Sequence, residues 1–164
     1  VRHSFELNEV TLYFTGSTWV NIKSLDQIGI RMNIAYTATF FNGTVSNDRV
    51  FMKFSVSELY TEELSSIGEY GIQVSTSSQT RRYPIQNLRL DTVNNERYLI
   101  IDLGDAISQN RYNDMFTVTT YLKVGETVIT STNTSSDSIF TLVEAMYNNI
   151  ATQKFVTNLY NYMK

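Results

Sequence analysis

The chain has 164 residues, 42% of them hydrophobic and 18% charged, with a formal net charge of −3 and no cysteine. That length suits one ordinary domain and buries roughly 70% of the surface an unfolded chain exposes, enough for a core without metal or disulfide staples. The missing cysteines exclude a disulfide framework and any Cys-ligated zinc or iron–sulfur site. Arg81-Arg82 is the sole adjacent Lys/Arg pair, which argues against a nucleic-acid partner, because binding phosphates takes clustered cations.

In chain order, the first strand signal is Val10, Leu12 and Phe14 alternating with Thr11 and Tyr13, followed by a shorter candidate from Trp19 to Lys23. The clearest signal comes next. Ile28, Ile30, Met32, Ile34, Tyr36, Ala38 and Phe40 occupy every second position, with Arg31, Asn33, Thr37 and Thr39 between them. Period two is the repeat of a strand with one buried face. Asn42-Gly43 and Ser46-Asn47-Asp48 then signal turns, and Val50, Met52, Phe54 and Val56 resume the alternation. Ser57 to Leu64 reads as a short helix with Ser57 as cap and Glu58 in its first turn.

Further strands are expected at Tyr70–Val74, Tyr83–Leu90, Tyr98–Leu103 and Phe116–Leu122, with Asn94-Asn95 separating the second from the third. Gly125-Glu126 divides Leu122-Lys123-Val124 from Thr127-Val128-Ile129, and a glycine leading a two-residue loop suits a type II′ hairpin. The tail has a helical period: Ile139, Leu142, Val143, Met146, Tyr147 and Ile150, then Phe155, Val156, Leu159, Tyr160 and Met163. Ser136 or Asp137 is the expected N-cap, and Asn148, Asn149 and Thr152 mark a possible break into two helices.

Many short strands with turn punctuation and no βαβ alternation predict a mainly-β fold. The expected architecture is an antiparallel β-sandwich, Ig-like or jelly-roll-like, over residues 1–135, with a C-terminal α-helical segment over 136–164 packed on it as part of the same domain. No apolar run reaches the about 20 residues that span a bilayer, so membrane insertion is not expected.

Catalytic chemistry finds little to build on. His3 is the sole histidine, so neither a triad nor a set of imidazole ligands can form around it. Asp102 with Asp105, and Glu62-Glu63, are carboxylates that a hydrolase could use, but isolated acidic spacing has no specificity. Asp91, Asn94, Asn95 and Glu96, and also Asn47-Asp48, are oxygen-rich enough to consider for calcium; they lack EF-hand spacing, and turn formation explains them. No phosphate loop or nucleophile elbow occurs, and neither a metal nor another cofactor is expected. Two sequons, Asn42-Gly43-Thr44 and Asn133-Thr134-Ser135, suit surface loops. Aromatic residues make up 13% of the chain, and exposed aromatic faces stack on sugar rings. Trp19, the single tryptophan, and Tyr121, which shares the face of Thr117 and Thr119 and should be exposed, are the candidate ligand-binding residues.

Three segments together carry a family resemblance: Ile28-Gly29-Ile30-Arg31-Met32, Gly68-Glu69-Tyr70-Gly71-Ile72-Gln73-Val74-Ser75, and the stretch from Tyr98 to Leu142 with Arg111-Tyr112-Asn113-Asp114 and Phe116 to Tyr121. The pattern resembles a non-catalytic β-sandwich module of secreted and surface proteins of Firmicutes and related low-GC bacteria. It spans about two thirds of the chain, leaving the first 27 residues unaccounted for and the C-terminal helix longer than the pattern. The resemblance implies an extracellular or cell-surface module that is not an enzyme, with a glycan or another protein as partner. Two other readings stand beside it: a structural subunit of a virion, phage tail or surface filament, self-assembling through the C-terminal helix, and a small carboxylate-dependent hydrolase.

Overall fold

A computed structural model describes residues 4–7, 10–14, 19–21, 23–41, 44–103, 109–149 and 154–164. The alternating segment forms a long strand, β4 (Ile30–Phe41), after three short ones, β1 (Ser4–Leu7), β2 (Val10–Phe14) and β3 (Trp19–Asn21), and a one-turn helix, α1 (Lys23–Gln27). Ile30 and Met32 are half-buried and Ile34 buried, whereas Arg31 and Asn33 are exposed, as period two requires. β4 pairs antiparallel with β5 (Thr44–Ser57), which sets Ile30, Met32 and Ile34 opposite Val56, Phe54 and Met52. On its other side β5 sets Phe54 and Met52 opposite Leu99 and Ile101 of β9 (Glu96–Asp102). Three apolar rows therefore lie side by side on one face of a sheet ordered β4-β5-β9-β8, where β8 is Arg89–Asp91.

The second sheet has the order β11-β10-β6-β7 and comprises β6 (Glu69–Ser75), β7 (Thr80–Pro84), β10 (Met115–Val124) and β11 (Thr127–Ser138). Val74, Ile72 and Tyr70 of β6 sit opposite Val118, Thr120 and Leu122 of β10. The apolar rows of both sheets enter one core cluster, so the molecule is mainly β with a sandwich-like arrangement of two antiparallel four-stranded sheets. Each fully buried Leu, Ile or Phe in such a cluster contributes about 1.5–3 kcal/mol. The strands β1-β2-β3 form a separate small antiparallel sheet.

Polar side chains close one side of the sandwich. Ser135 Oγ donates to the Ile30 carbonyl at 3.0 Å, Asn133 Nδ2 donates to the carbonyls of Ile28 and Asp26, and the Thr132 amide donates to Asp26 Oδ1. A bulge between Thr119 and Tyr121 gives β11 the extra residues that reach α1 and Ile28, while Ser135, within the ladder, reaches β4. The Ser/Thr/Asn-rich stretch Ser131–Ser136 is therefore edge strand, with Asn133 of the second sequon inside β11. The first sequon's Asn42 and Gly43 lie outside the described residues.

Two helices follow β11: α3 (Ile139–Asn149) and α4 (Lys154–Met163). The break expected near Asn148-Asn149 and Thr152 falls between them, with residues 150–153 outside the described set. Ile139, Val143, Val156 and Met163 are buried in the same cluster as the sheets. Tyr160 stacks between Tyr147, with ring centres 4.3 Å apart, and Phe140 at 5.8 Å. The apolar stripe of the tail is thus turned onto the chain's own sheets.

Several boundaries differ from the sequence expectation. The cap of α3 is Ser138, whose hydroxyl accepts from the Thr141 amide at 3.1 Å; Ser136 and Asp137 are still paired in β11. The short helix α2 runs Thr61–Ile67, because β5 continues through Ser57. Ser57 Oγ instead accepts from the Leu59 amide in the connecting turn. Tyr83–Leu90 is not one strand: a 3-10 turn at Ile85–Asn87 carries the chain from one sheet to the other. The β10–β11 hairpin matches its expectation, with Gly125 at φ 59° in a two-residue loop between Val124 and Thr127.

Candidate functional site

Trp19 opens β3 directly opposite Phe14 of β2. Their ring centres are 5.1 Å apart with planes tilted by 37°, a cross-strand aromatic pair of the kind that stabilises small sheets. Trp19 is 47% and Phe14 38% exposed. The neighbouring Val20 points the other way and packs against the core, so the alternation of β3 turns the tryptophan outward. Sequence reasoning singled out Trp19 and missed Phe14, because their pairing is set by the register of β2 with β3.

Tyr121 is not exposed. Its relative accessibility is 0%, although it does lie on the opposite face of β10 from Val118 and Leu122. Gly71, directly across on β6, has no side chain, and the ring leans over that strand until its hydroxyl donates to Glu69 Oε2 at 2.7 Å. The Arg82 guanidinium lies 5.9 Å from the ring centre. Burial above all, then the hydrogen bond and charge of Glu69, raise the phenol's pKa, against the opposing effect of Arg82. Thr119, expected on the same solvated face, is also buried and shares hydrogen bonds with Ser131 Oγ and the Asn133 carbonyl. The outer face of β10 is thus an internally satisfied polar layer, and Tyr121 offers no ring face to a ligand.

Asp102 and the Glu62-Glu63 pair lie on different elements. Asp102 pairs with Phe51 at one end of the β5–β9 ladder, while Glu62 and Glu63 lie on α2, beyond Ser57 at the other end. Six residue steps along β5 separate Phe51 from Ser57, about 20 Å of strand at 3.3 Å per residue. Glycoside hydrolysis needs carboxyl groups about 5–9.5 Å apart. Glu63 accepts a hydrogen bond from Ser24 Oγ at 2.9 Å, and Asp105 and His3 lie outside the described residues.

The oxygen-rich turn after β8 is occupied by its own bonds. Asp91 accepts from the amides of Val93 and Asn94 and from Asn94 Nδ2; the Asn94 side chain is the chief cause of a lowered Asp91 pKa. Asn95 adopts φ 53°, and Glu96 is held by Arg31. Asn47 and Asp48 lie within β5. Among the described residues no three His, Cys, Asp or Glu side chains gather as metal ligands, and no helix is long and apolar enough to cross a membrane.

Two features were not anticipated. Arg97 makes a two-pronged pair with Glu58, 2.7 and 3.2 Å, at one end of the sandwich. Toward the other end, a cleft of about 90 Å³ opens between the sheets, walled by Val74, Tyr83, Ile101 and Phe116 with Arg81 also lining it. It is far smaller than the about 300–1,000 Å³ typical of small-molecule sites.

The chain matches no protein-family model, no curated protein and no solved structure. None of these comparisons bears on the resemblance to the bacterial surface module. Within that pattern, Gly71 has a clear physical role: a Cβ there would collide with the Tyr83 carbonyl, so glycine permits both the β6–β7 approach and the lean of Tyr121.

Proposed function

We propose that this chain is a non-catalytic β-sandwich module, extracellular or on a cell surface, that binds glycan through the Phe14–Trp19 pair. The observation that carries the reading is two adjacent aromatic rings, both more than one third exposed, on a small sheet beside the main sandwich. Aromatic faces supply apolar contact to the C–H faces of sugars at little conformational cost. The motif resemblance to a secreted non-catalytic module and the Ser/Thr/Asn-rich stretch Ser131–Ser136 support the same reading.

Trp19 is the sole tryptophan, so fluorescence excited selectively at tryptophan, beyond the absorption of the tyrosines, reports on this site alone. A glycan array followed by fluorescence titration tests the proposal. A hit should shift Trp19 emission, and Trp19→Ala should weaken binding by roughly thirtyfold, the about 2 kcal/mol of an anchoring aromatic, while leaving the circular dichroism unchanged. Glycan hits that persist in Trp19→Ala, or an array without hits, would reject it.

One observation favours the reading as a structural subunit of a virion, phage tail or filament. Among the described residues the Thr44–Val50 half of β5 pairs with β4 alone, as a two-stranded ribbon. Such ribbons are marginal unless they pack against something further. Light scattering separates the two: a stable monomer at high concentration counts against assembly.

A further inference from the structure

The sheet β4-β5-β9-β8 is incomplete along one edge. β8 is only three residues long and covers Glu96, Arg97 and Tyr98 of β9. Leu99, Ile100 and Ile101 continue the ladder with β5 but pair with no other described strand. Across the gap, β7 is the edge strand of the other sheet. The apolar cleft of Val74, Tyr83, Ile101 and Phe116 lies between these two edges. Leu88 and the 3-10 turn before it lead into β8 from the side of β6, so a strand laid beyond Leu88 would satisfy the outward backbone groups of β9 past that point and send alternate side chains into the cleft. The volume of about 90 Å³ is below the roughly 150 Å³ that admits benzene, which suits one branched aliphatic side chain.

Charge specifies the occupant. Arg81, exposed and lining the cleft, and Arg89, exposed on β8, form no ion pair or hydrogen bond with the described residues. Native edge strands use such cations to block indiscriminate pairing; the same cations favour an incoming strand that carries carboxylates. We propose that residues 99–101 of β9, with the cleft beside them, form a strand-addition site for an extended segment of a partner protein that alternates aliphatic and acidic residues. This site is separate from the Phe14–Trp19 pair, so its test and the glycan test succeed or fail independently.

The probe is a short end-blocked peptide alternating Val with Glu and Thr. Its controls are the same peptide with Lys replacing Glu and the same peptide N-methylated at alternate backbone nitrogens. Calorimetry should show binding of the acidic peptide at least about tenfold tighter than either control, and hydrogen exchange should slow within residues 99–101. Arg89→Glu, on the row of β8 and β9 that the carboxylates would face, should weaken binding by about tenfold and Arg89→Lys much less, with both variants melting like the parent because the side chain is exposed. Failure of the acidic peptide to bind, equal binding by the Lys or N-methylated peptide, or slowed exchange confined to other segments would overturn the proposal.

Discussion

Replacing Tyr70 by Phe probes a buried polar group in the core. Tyr70 is 1% exposed on the inner row of β6, and its hydroxyl has no hydrogen-bond partner among the described residues. Burial, and secondarily the negative charge of Glu58, raise its pKa well above the ordinary phenol value. A buried hydroxyl without a partner costs about 1–3 kcal/mol relative to water, whereas the ring itself contributes apolar burial that Phe retains. Tyr70→Phe should therefore stabilise the fold by about 1 kcal/mol. At this chain length that raises Tm by roughly 2–4 °C. The assay is equilibrium urea unfolding: the midpoint should rise with an unchanged slope. The pH dependence adds a second check. The unfolded phenol ionises near pH 10 while the folded one stays protonated. The folded state therefore holds more protons, and its stability is intact below about pH 10 and declines above it. Tyr70→Phe should remove part of that alkaline decline, leaving the share due to Tyr121, whose pKa is raised in the same direction. A loss of 1 kcal/mol or more on substitution would show that the hydroxyl is bonded and refute the reasoning.

Two further substitutions test how the sheets are joined and capped. Ser138→Ala removes the oxygen that accepts the Thr141 amide and should cost about 1 kcal/mol in urea unfolding; an unchanged midpoint would mean that the cap adds nothing. Gly71→Ala places a Cβ against the Tyr83 carbonyl and should cost about 2–4 kcal/mol, in the upper range of single substitutions, with exchange of the β7 amides accelerating before those of β10.

Phe14, Tyr121 and Asn133 show where local pattern stops being informative. Period-two alternation locates β4, β5, β6 and β10 because the pleat itself has period two, and it correctly separates Val118 from Tyr121. It cannot say whether the second face meets water. That depends on Gly71 standing opposite, on Glu69 two residues further along β6, and on an arginine from the next strand, partners 50, 52 and 39 positions away in the sequence. Asn133 reads as a loop residue because its polarity suits a turn; in the fold, the bulge of β11 carries it to carbonyls more than 100 positions away.

The mainly-β class, the single-stripe helical tail and the type II′ hairpin at Gly125 were legible in the chain itself, because each follows from backbone geometry within a few neighbouring residues. Which strands are edges, that β8 stops short and leaves residues 99–101 beside a cleft, and that Phe14 joins Trp19 while Tyr121 is covered were decided only in three dimensions. Those outcomes depend on register and on sheet-to-sheet contact, which bring together residues whose separation along the chain carries no trace of the pairing.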